Sequence, residues 1–140
     1  MSVEENKAIA RRWNEEIWSK GSLATIDELF ATDYVCHYPG DPTPDRESYK
    51  QWVAMSFAAF ADVHCTIEDM VAEGDKVALR WTWRVTHSKG EYMGIAPTGK
   101  QMTITGIFIL RIEGGKIVEE WGNSDDLGMM QQLGVIPAQG

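Results

Sequence analysis

The chain has 140 residues, 44% of them hydrophobic, which is typical of one domain with a buried core. Its formal net charge is −8 and its 13 Lys and Arg residues are scattered, so the sequence offers no basic stripe and excludes a nucleic-acid-binding surface. No apolar run has the length of a membrane span, and the charged N-terminus lacks the apolar stretch of a signal peptide, which predicts a soluble, cytoplasmic protein.

The first half of the chain has helical periodicity. Ser2 and Glu5 have the spacing of a capping box at the start of a helix, and apolar residues recur at helical spacing after them. The pattern predicts helices over residues 3–19, 23–30 and 45–60, an extended segment over 33–38, and a loop rich in Pro and Gly over 39–44.

The second half alternates between apolar and polar residues, as strands do. Strands are predicted over 63–73, 76–87, 101–112 and 116–124, followed by a short helix over 126–133 that Gly134 ends. Tight turns at 73–75 and 113–115 join neighbouring strands, and residues 88–100 form a longer hairpin connection. Helices followed by antiparallel strands indicate one α+β domain over residues 1–140.

Residue parity predicts which face of the sheet lies inside. The strand over 76–87 has apolar residues at odd positions, and the strand over 101–112 has them at even positions. The opposite face of the second strand is mixed because it includes Ile107 and Ile109. A half-apolar outer face predicts packing against a second copy of the chain, hence a homodimer.

The cysteines and histidines have no signature of a metal site. Cys36 and Cys65 lack framework spacing, so free buried thiols are favoured, and a disulfide between them stays open. His37, His64 and His87 lack the short spacing of metal ligands, and we interpret His64 as structural. We expect neither a metal nor an organic cofactor.

Several segments together resemble the SnoaL-like polyketide cyclases. They are Thr86-His87 with residues 90–100, residues 115–121, and Asp125, Gly128 and 132–134, in the family's order over nearly the whole chain. The resemblance implies a nuclear-transport-factor-2-like fold, in which a cone-shaped, curved antiparallel sheet wraps over N-terminal helices around a deep pocket. It also implies frequent dimers.

The family's founding chemistry is an intramolecular aldol cyclisation of an aromatic polyketide ester without a cofactor. In that chemistry an aspartate in the pocket removes a proton from an acidified carbon, and a histidine assists. Alignment on Trp121 and residues 132–134 places the aspartate position at Gly122 and the histidine position at Phe108. Neither residue can move a proton, so the resemblance implies the pocket but not this pair.

Two carboxylates are candidates for the missing base. Glu120 precedes Gly122 by two residues, so in an unbroken strand both point inward, and an apolar pocket would raise the pKa of this carboxyl. The alternative is a bulged strand with Glu120 in solvent. Asp125 matches an acidic position of the family, and its alternative role is the N-cap of the last helix.

Two histidines are candidates for the partner of the base. His37 is expected near the pocket mouth, where it could act as an acid or base, and the alternative is a structural histidine. His87 matches a family histidine and has the inward parity, and the alternative is a hydrogen bond that fixes the long hairpin.

Aromatic residues and glycines are predicted to form the pocket wall, since a flat apolar ligand needs such walls. Gly106 is expected either to leave room for the ligand or to mark a bend. The predicted wall residues are Trp52, Phe57, Trp81, Trp83, Gly106, Phe108 and Gly122.

Three hypotheses follow. The first is a cofactor-independent acid–base enzyme that cyclises, isomerises or hydrates a small apolar carbonyl compound, with Glu120 or Asp125 as base and His37 or His87 as partner. The second is a binding or carrier domain for a small apolar molecule. The third is an assembly unit that acts mainly through its dimer face.

Overall fold

The computed structural model describes residues 2–40 and 45–137, so part of the predicted loop over 39–44 lies outside it. The helices are α1 (Val3–Arg12), a π-helical segment (Trp13–Trp18), α2 (Leu23–Leu29), α3 (Arg46–Ala59) and α4 (Asp126–Leu133). The strands are β1 (Phe30–His37), β2 (Phe60–Glu73), β3 (Lys76–His87), β4 (Gln101–Glu113) and β5 (Lys116–Ser124). The α+β architecture agrees with the sequence analysis.

The five strands form one sheet in the order β1-β5-β4-β3-β2. β2 to β5 are paired antiparallel through successive hairpins. The predicted extended segment is a fifth strand, β1, which pairs parallel with β5. The sheet is therefore mixed at this edge and antiparallel elsewhere.

The N-terminal helix begins at the predicted capping box. The Glu5 amide donates to Ser2 Oγ, and the Ser2 amide donates to Glu5 Oε1, both over 3.1 Å. The predicted helix over 3–19 divides at Trp13, where the wider π-helical turns begin. These turns decide the direction of two tryptophans in the interior, as described below.

The faces of the two central strands follow the predicted parity. The odd positions of β3 and the even positions of β4 lie against the helices and are buried, apart from the partly exposed Gly106. In β5 the register with β4 shifts between Arg111 and Ile112, so one extra residue, Val118, forms a bulge. Because the bulge precedes Glu119, Glu120 and Gly122 still share the inward face.

The two cysteines lie on the opposite edge strands of the sheet, Cys36 in β1 and Cys65 in β2. Both are buried, and they form no disulfide with each other. The interpretation as buried thiols is confirmed, and the disulfide left open is not formed. Burial raises the pKa of the Cys65 thiol to about 12, so it stays protonated at neutral pH. In the described ranges, no helix has the length and apolar content needed to cross a membrane.

Candidate functional site

A small cavity lies between the helices and the inner face of the sheet. Its volume is about 30 Å³, which is room for a water molecule or a small ligand group. Of the predicted wall residues, Trp52, Trp81 and Trp83 line it. The complete lining is Trp13, Trp18, Trp52, Cys65, Trp81, Trp83 and Ser124.

The two predicted wall glycines make room for rings of the chain itself. A Cβ on Gly106 would lie 2.8 Å from Trp81 Cε2, and one on Gly122 would lie 2.8 Å from Phe108 Cε1. Gly106 therefore accommodates the Trp81 indole where we expected a ligand or a bend. Phe57 packs against Gly21 and is not among the lining residues.

Phe108 and Gly122 are directly paired across β4 and β5. The Phe108 ring occupies the space that a side chain at position 122 would need. The two positions that the sequence analysis assigned to the family's histidine and aspartate are thus filled by one aromatic ring. Gly122 has no side chain where the Phe108 ring packs, so the two residues fit each other.

Glu120 is a fully buried carboxyl on the inner face of β5. Its Oε1 accepts a hydrogen bond of 3.1 Å from the Tyr34 hydroxyl, and its Oε2 has no hydrogen-bond partner among the described residues. Burial raises the pKa of Glu120 to about 8, although the polar groups of Tyr34, Trp13 and Tyr49 oppose the rise. The carboxyl is therefore poised to gain or lose a proton close to neutral pH.

The π-helical segment builds the polar surroundings of Glu120. The indole Nε1 groups of Trp13 and Trp18 both donate to the Tyr49 hydroxyl, over 3.1 and 2.8 Å. In an α-helix, residues five apart point roughly 140° away from each other. The wider π turns bring positions five apart into line, so both indoles reach one oxygen.

The Tyr49 hydroxyl keeps its proton in this arrangement. The pKa of Tyr49 is raised well above its ordinary value, first by burial and then by the negative charge of Glu120. With both indoles donating to its oxygen, Tyr49 has its own O–H free to point at another acceptor. The nearby Glu120 carboxyl is such an acceptor, and Tyr49 lowers its pKa.

The remaining predicted catalytic residues lie away from Glu120. His37 is half exposed, stacks on Trp121, and its Nε2 lies 2.7 Å from Glu119 Oε2. Asp125 is exposed and caps α4, with its Oδ1 accepting from the Gly128 amide over 2.9 Å. Asp125 thus has the N-cap geometry of its alternative role, and the catalytic roles of Asp125 and His37 stay predictions.

His87 is fully buried but is held by the hairpin that follows β3. Its Nε2 lies 2.9 Å from the Gly90 carbonyl oxygen, which only accepts, so this nitrogen carries the proton. Its Nδ1 faces the amide and hydroxyl of Thr98 at 3.4 Å. This geometry is the one expected if the histidine fixes the long hairpin.

Several polar groups near the cavity were not among the predicted site residues. Tyr34 and Tyr49 surround Glu120, and the Tyr38 hydroxyl donates to Asp126 at 3.0 Å, close to Ser124 of the cavity lining. Tyr34 and Tyr38 share one parity in and just after β1, which was an available signal, because buried tyrosines require hydrogen-bond partners. Across residues 2–40 and 45–137, no three His, Cys, Asp or Glu residues gather as metal ligands.

The comparisons with known proteins agree with this fold. The family model for the SnoaL-like polyketide cyclases matches residues 8–133. A search of curated proteins found no match.

Three solved structures illustrate the similarity. AclR from Streptomyces galilaeus, provisionally described as a hydroxylase, is 28% identical, with a TM-score of 0.89 over 99% of this chain and 87% of that one. IdmH from Streptomyces antibioticus, provisionally described as a polyketide cyclase, is 38% identical, with a TM-score of 0.80 over 92% and 98%. A provisionally described polyketide cyclase from Acidithiobacillus ferrooxidans is 33% identical, with a TM-score of 0.83 over 96% and 99%. This chain therefore belongs to the SnoaL-like polyketide cyclase family.

Proposed function

We propose that the protein is a cofactor-independent acid–base enzyme of the cyclase type, which acts on a small apolar carbonyl compound and uses Glu120 as its proton-transferring group. The observation that carries the proposal is the Glu120 carboxyl itself. It is fully buried, has a pKa of about 8, and has one oxygen without a partner. Perturbed carboxyls of this kind cluster at functional sites.

The chemistry follows from the two oxygens of Glu120. Tyr34 holds Oε1, which leaves Oε2 for a proton on a carbon next to a carbonyl. A base is most effective when its pKa lies near the working pH, because it is then both basic and available. The substrate's own carbonyl groups delocalise the charge that proton removal creates, so no metal is needed in this scheme.

The route to Glu120 passes Trp13. The Trp13 indole lines the cavity and also lies near enough to Glu120 to lower its pKa. A volume of about 30 Å³ admits only a small group while the rings keep these positions. The centroids of the Trp13 and Phe108 rings lie 5.5 Å apart, so the two rings pack against each other. We infer that both rings rotate when a larger substrate reaches Oε2.

The test is proton exchange at carbon. Wild-type protein in D2O, incubated with small β-ketoesters and cyclic ketones, is expected to accelerate deuterium incorporation next to the carbonyl, followed by NMR. The rate should rise with pH toward about 8, as the Glu120 carboxylate forms. Glu120→Gln should abolish the acceleration.

Glu119→Gln is the matched control, because Glu119 neighbours Glu120 in sequence but pairs with His37 and Arg111. It should exchange like wild type. Exchange by Glu120→Gln at the wild-type rate would overturn the proposal. Binding of the compounds by wild type without any exchange would favour the carrier hypothesis, which the apolar lining of the cavity supports.

We also propose a homodimer through the outer face of the sheet. Val71, Ala78, Ile109 and Trp121 are paired in register across four strands, so they form one row on that face. Val71 and the neighbouring Ile107 are 66% and 56% exposed. An apolar row across a sheet is typical of a surface that a second protein covers.

A further inference from the structure

One tryptophan of the cavity lining has a buried indole N–H with no acceptor among the described residues. Trp13 and Trp18 donate to Tyr49, and Trp83 donates to the Trp18 carbonyl oxygen over 2.9 Å. Trp81 is 7% exposed, lines the same cavity, and its buried Nε1 has no hydrogen-bond partner among the described residues. Buried donors are almost always paired in native structures, so an unpaired one calls for an acceptor from outside the chain.

The packing of Trp81 against Gly106 fixes the position of this donor. Its Cε2, the carbon bonded to Nε1, lies over Gly106, where a Cβ would be 2.8 Å away. Gly106 is paired with Ser124, which also lines the cavity. Any side chain at position 106 would displace the indole, so the glycine holds the N–H in place.

We propose that the Trp81 indole N–H is the anchor of the cavity and binds the carbonyl oxygen of a small neutral ligand. An indole N–H donates and cannot accept, so it selects an acceptor oxygen over a hydrocarbon group. Walls of four other aromatic rings and a protonated thiol disfavour a charged ligand, because burial of an unpaired charge is costly. A ketone or ester carbonyl satisfies both conditions.

This assignment adds a substrate-recognition group to the proposed function. It rests on that function only for the carbonyl class of the substrate. It assigns Trp81 a binding role, whereas Glu120 has the proton-transfer role. Trp81 is therefore a residue for substrate recognition that neither the family motifs nor the residues predicted to be catalytic include.

The experiment compares two ligands that differ only in oxygen for methylene, acetone and 2-methylpropene. The probe is the set of indole N–H signals in a 1H–15N spectrum of the wild-type protein, in which Trp81→Phe identifies the Trp81 signal by its loss. Acetone is expected to move the Trp81 signal downfield in a saturable way, and 2-methylpropene is not.

Binding is then measured for the variants. Trp81→Phe keeps a ring in the cavity and should weaken acetone binding roughly 3- to 10-fold, with binding of 2-methylpropene unchanged. Trp121→Phe, on the outer face beside His37, should bind acetone like wild type. Acetone binding requires no proton transfer, so a failure of the proton-transfer proposal leaves this result intact.

Equal affinity of the wild-type protein for the two ligands, or a Trp81 signal that acetone does not move, would overturn the assignment. The comparison of the wild-type affinities for the two ligands decides this even if Trp81→Phe fails to fold. A cavity that holds only water would give the same negative result.

Discussion

At the scale of single residues, Phe108 and Gly122, the two positions that our alignment assigned to the family's proton-transfer pair, pack against each other. The ring and the glycine are cross-strand neighbours, and the ring fills the space above the glycine. Alignment predicted both positions to lie inside, and the buried Phe108 and Gly122 agree. The packing of the Phe108 ring over Gly122 depends on distances between strands, which a sequence pattern does not contain.

We predict that Gly122→Ala destabilises the protein. The new Cβ would meet Phe108 Cε1 and Cζ at 2.8 Å, and overpacking of this kind costs about 1–3 kcal/mol. Phe108→Leu removes the ring edge, so in that background the same alanine should cost much less. Urea unfolding of the four proteins in a double-mutant cycle measures the coupling. Additive effects of the two substitutions would refute the packing argument.

For Glu120, the sequence bears on the direction of the side chain but not on its polar partners. The two-residue spacing to Gly122 left two hypotheses, an inward Glu120 or a solvated Glu120 in a bulged strand, and its full burial agrees with the first. Its partners Tyr34 and Tyr49 come from β1 and α3, distant in sequence. Their convergence is a property of the packed helices and sheet, so no motif revealed it.

At the scale of elements, helical periodicity predicted the N-terminal helix but not its change to π-helical turns. Ile9, Trp13 and Ile17 recur every four residues, which an α-helix also explains. Trp18 falls outside that series, and its alignment with Trp13 requires the wider turn. The sequence contains the two tryptophans five residues apart, but only the structure shows that both donate to the Tyr49 hydroxyl.

The outer face of the sheet carries a prediction at this scale. Ile109→Arg places a charge in the middle of the row formed by Val71, Ala78, Ile109 and Trp121, and burying that charge in a dimer would be costly. The wild-type protein is expected to sediment as a dimer at micromolar concentration and the variant as a monomer.

Met55→Arg is the control for this experiment, because Met55 is a comparably exposed apolar residue on α3. It should leave the dimer intact. A monomeric wild-type protein in analytical ultracentrifugation would contradict the proposed interface, as would an Ile109→Arg variant that remains dimeric.

At the scale of the whole molecule, the order of helices and strands and the hairpin turns could be predicted from the sequence, because each depends on local periodicity and turn residues. The parallel pairing of β1 with β5 could not, since its partners are about eighty residues apart. The family resemblance implied a deep pocket, whereas the cavity between the helices and the sheet has a volume of only about 30 Å³ and is lined mainly by tryptophan rings.

The proton on Glu120 affects the stability of the whole fold. The pKa of this carboxyl is raised from 4.5 to about 8 in the folded protein, so between these pH values the folded state holds a proton that the unfolded chain has released. Raising the pH through this window therefore lowers the free energy of unfolding. The effect is absent below about pH 4.5, where both states are protonated, and complete above about pH 8.

The most direct test is the free energy of unfolding of wild type and Glu120→Gln, measured by urea denaturation from pH 5 to pH 9. Glutamine stays neutral, so the account predicts that wild type loses several kcal/mol relative to the variant across this range, with most of the change complete near pH 8. Parallel curves for the two proteins would show that Glu120 titrates alike in the folded and unfolded states, and would contradict a buried carboxyl poised for proton transfer.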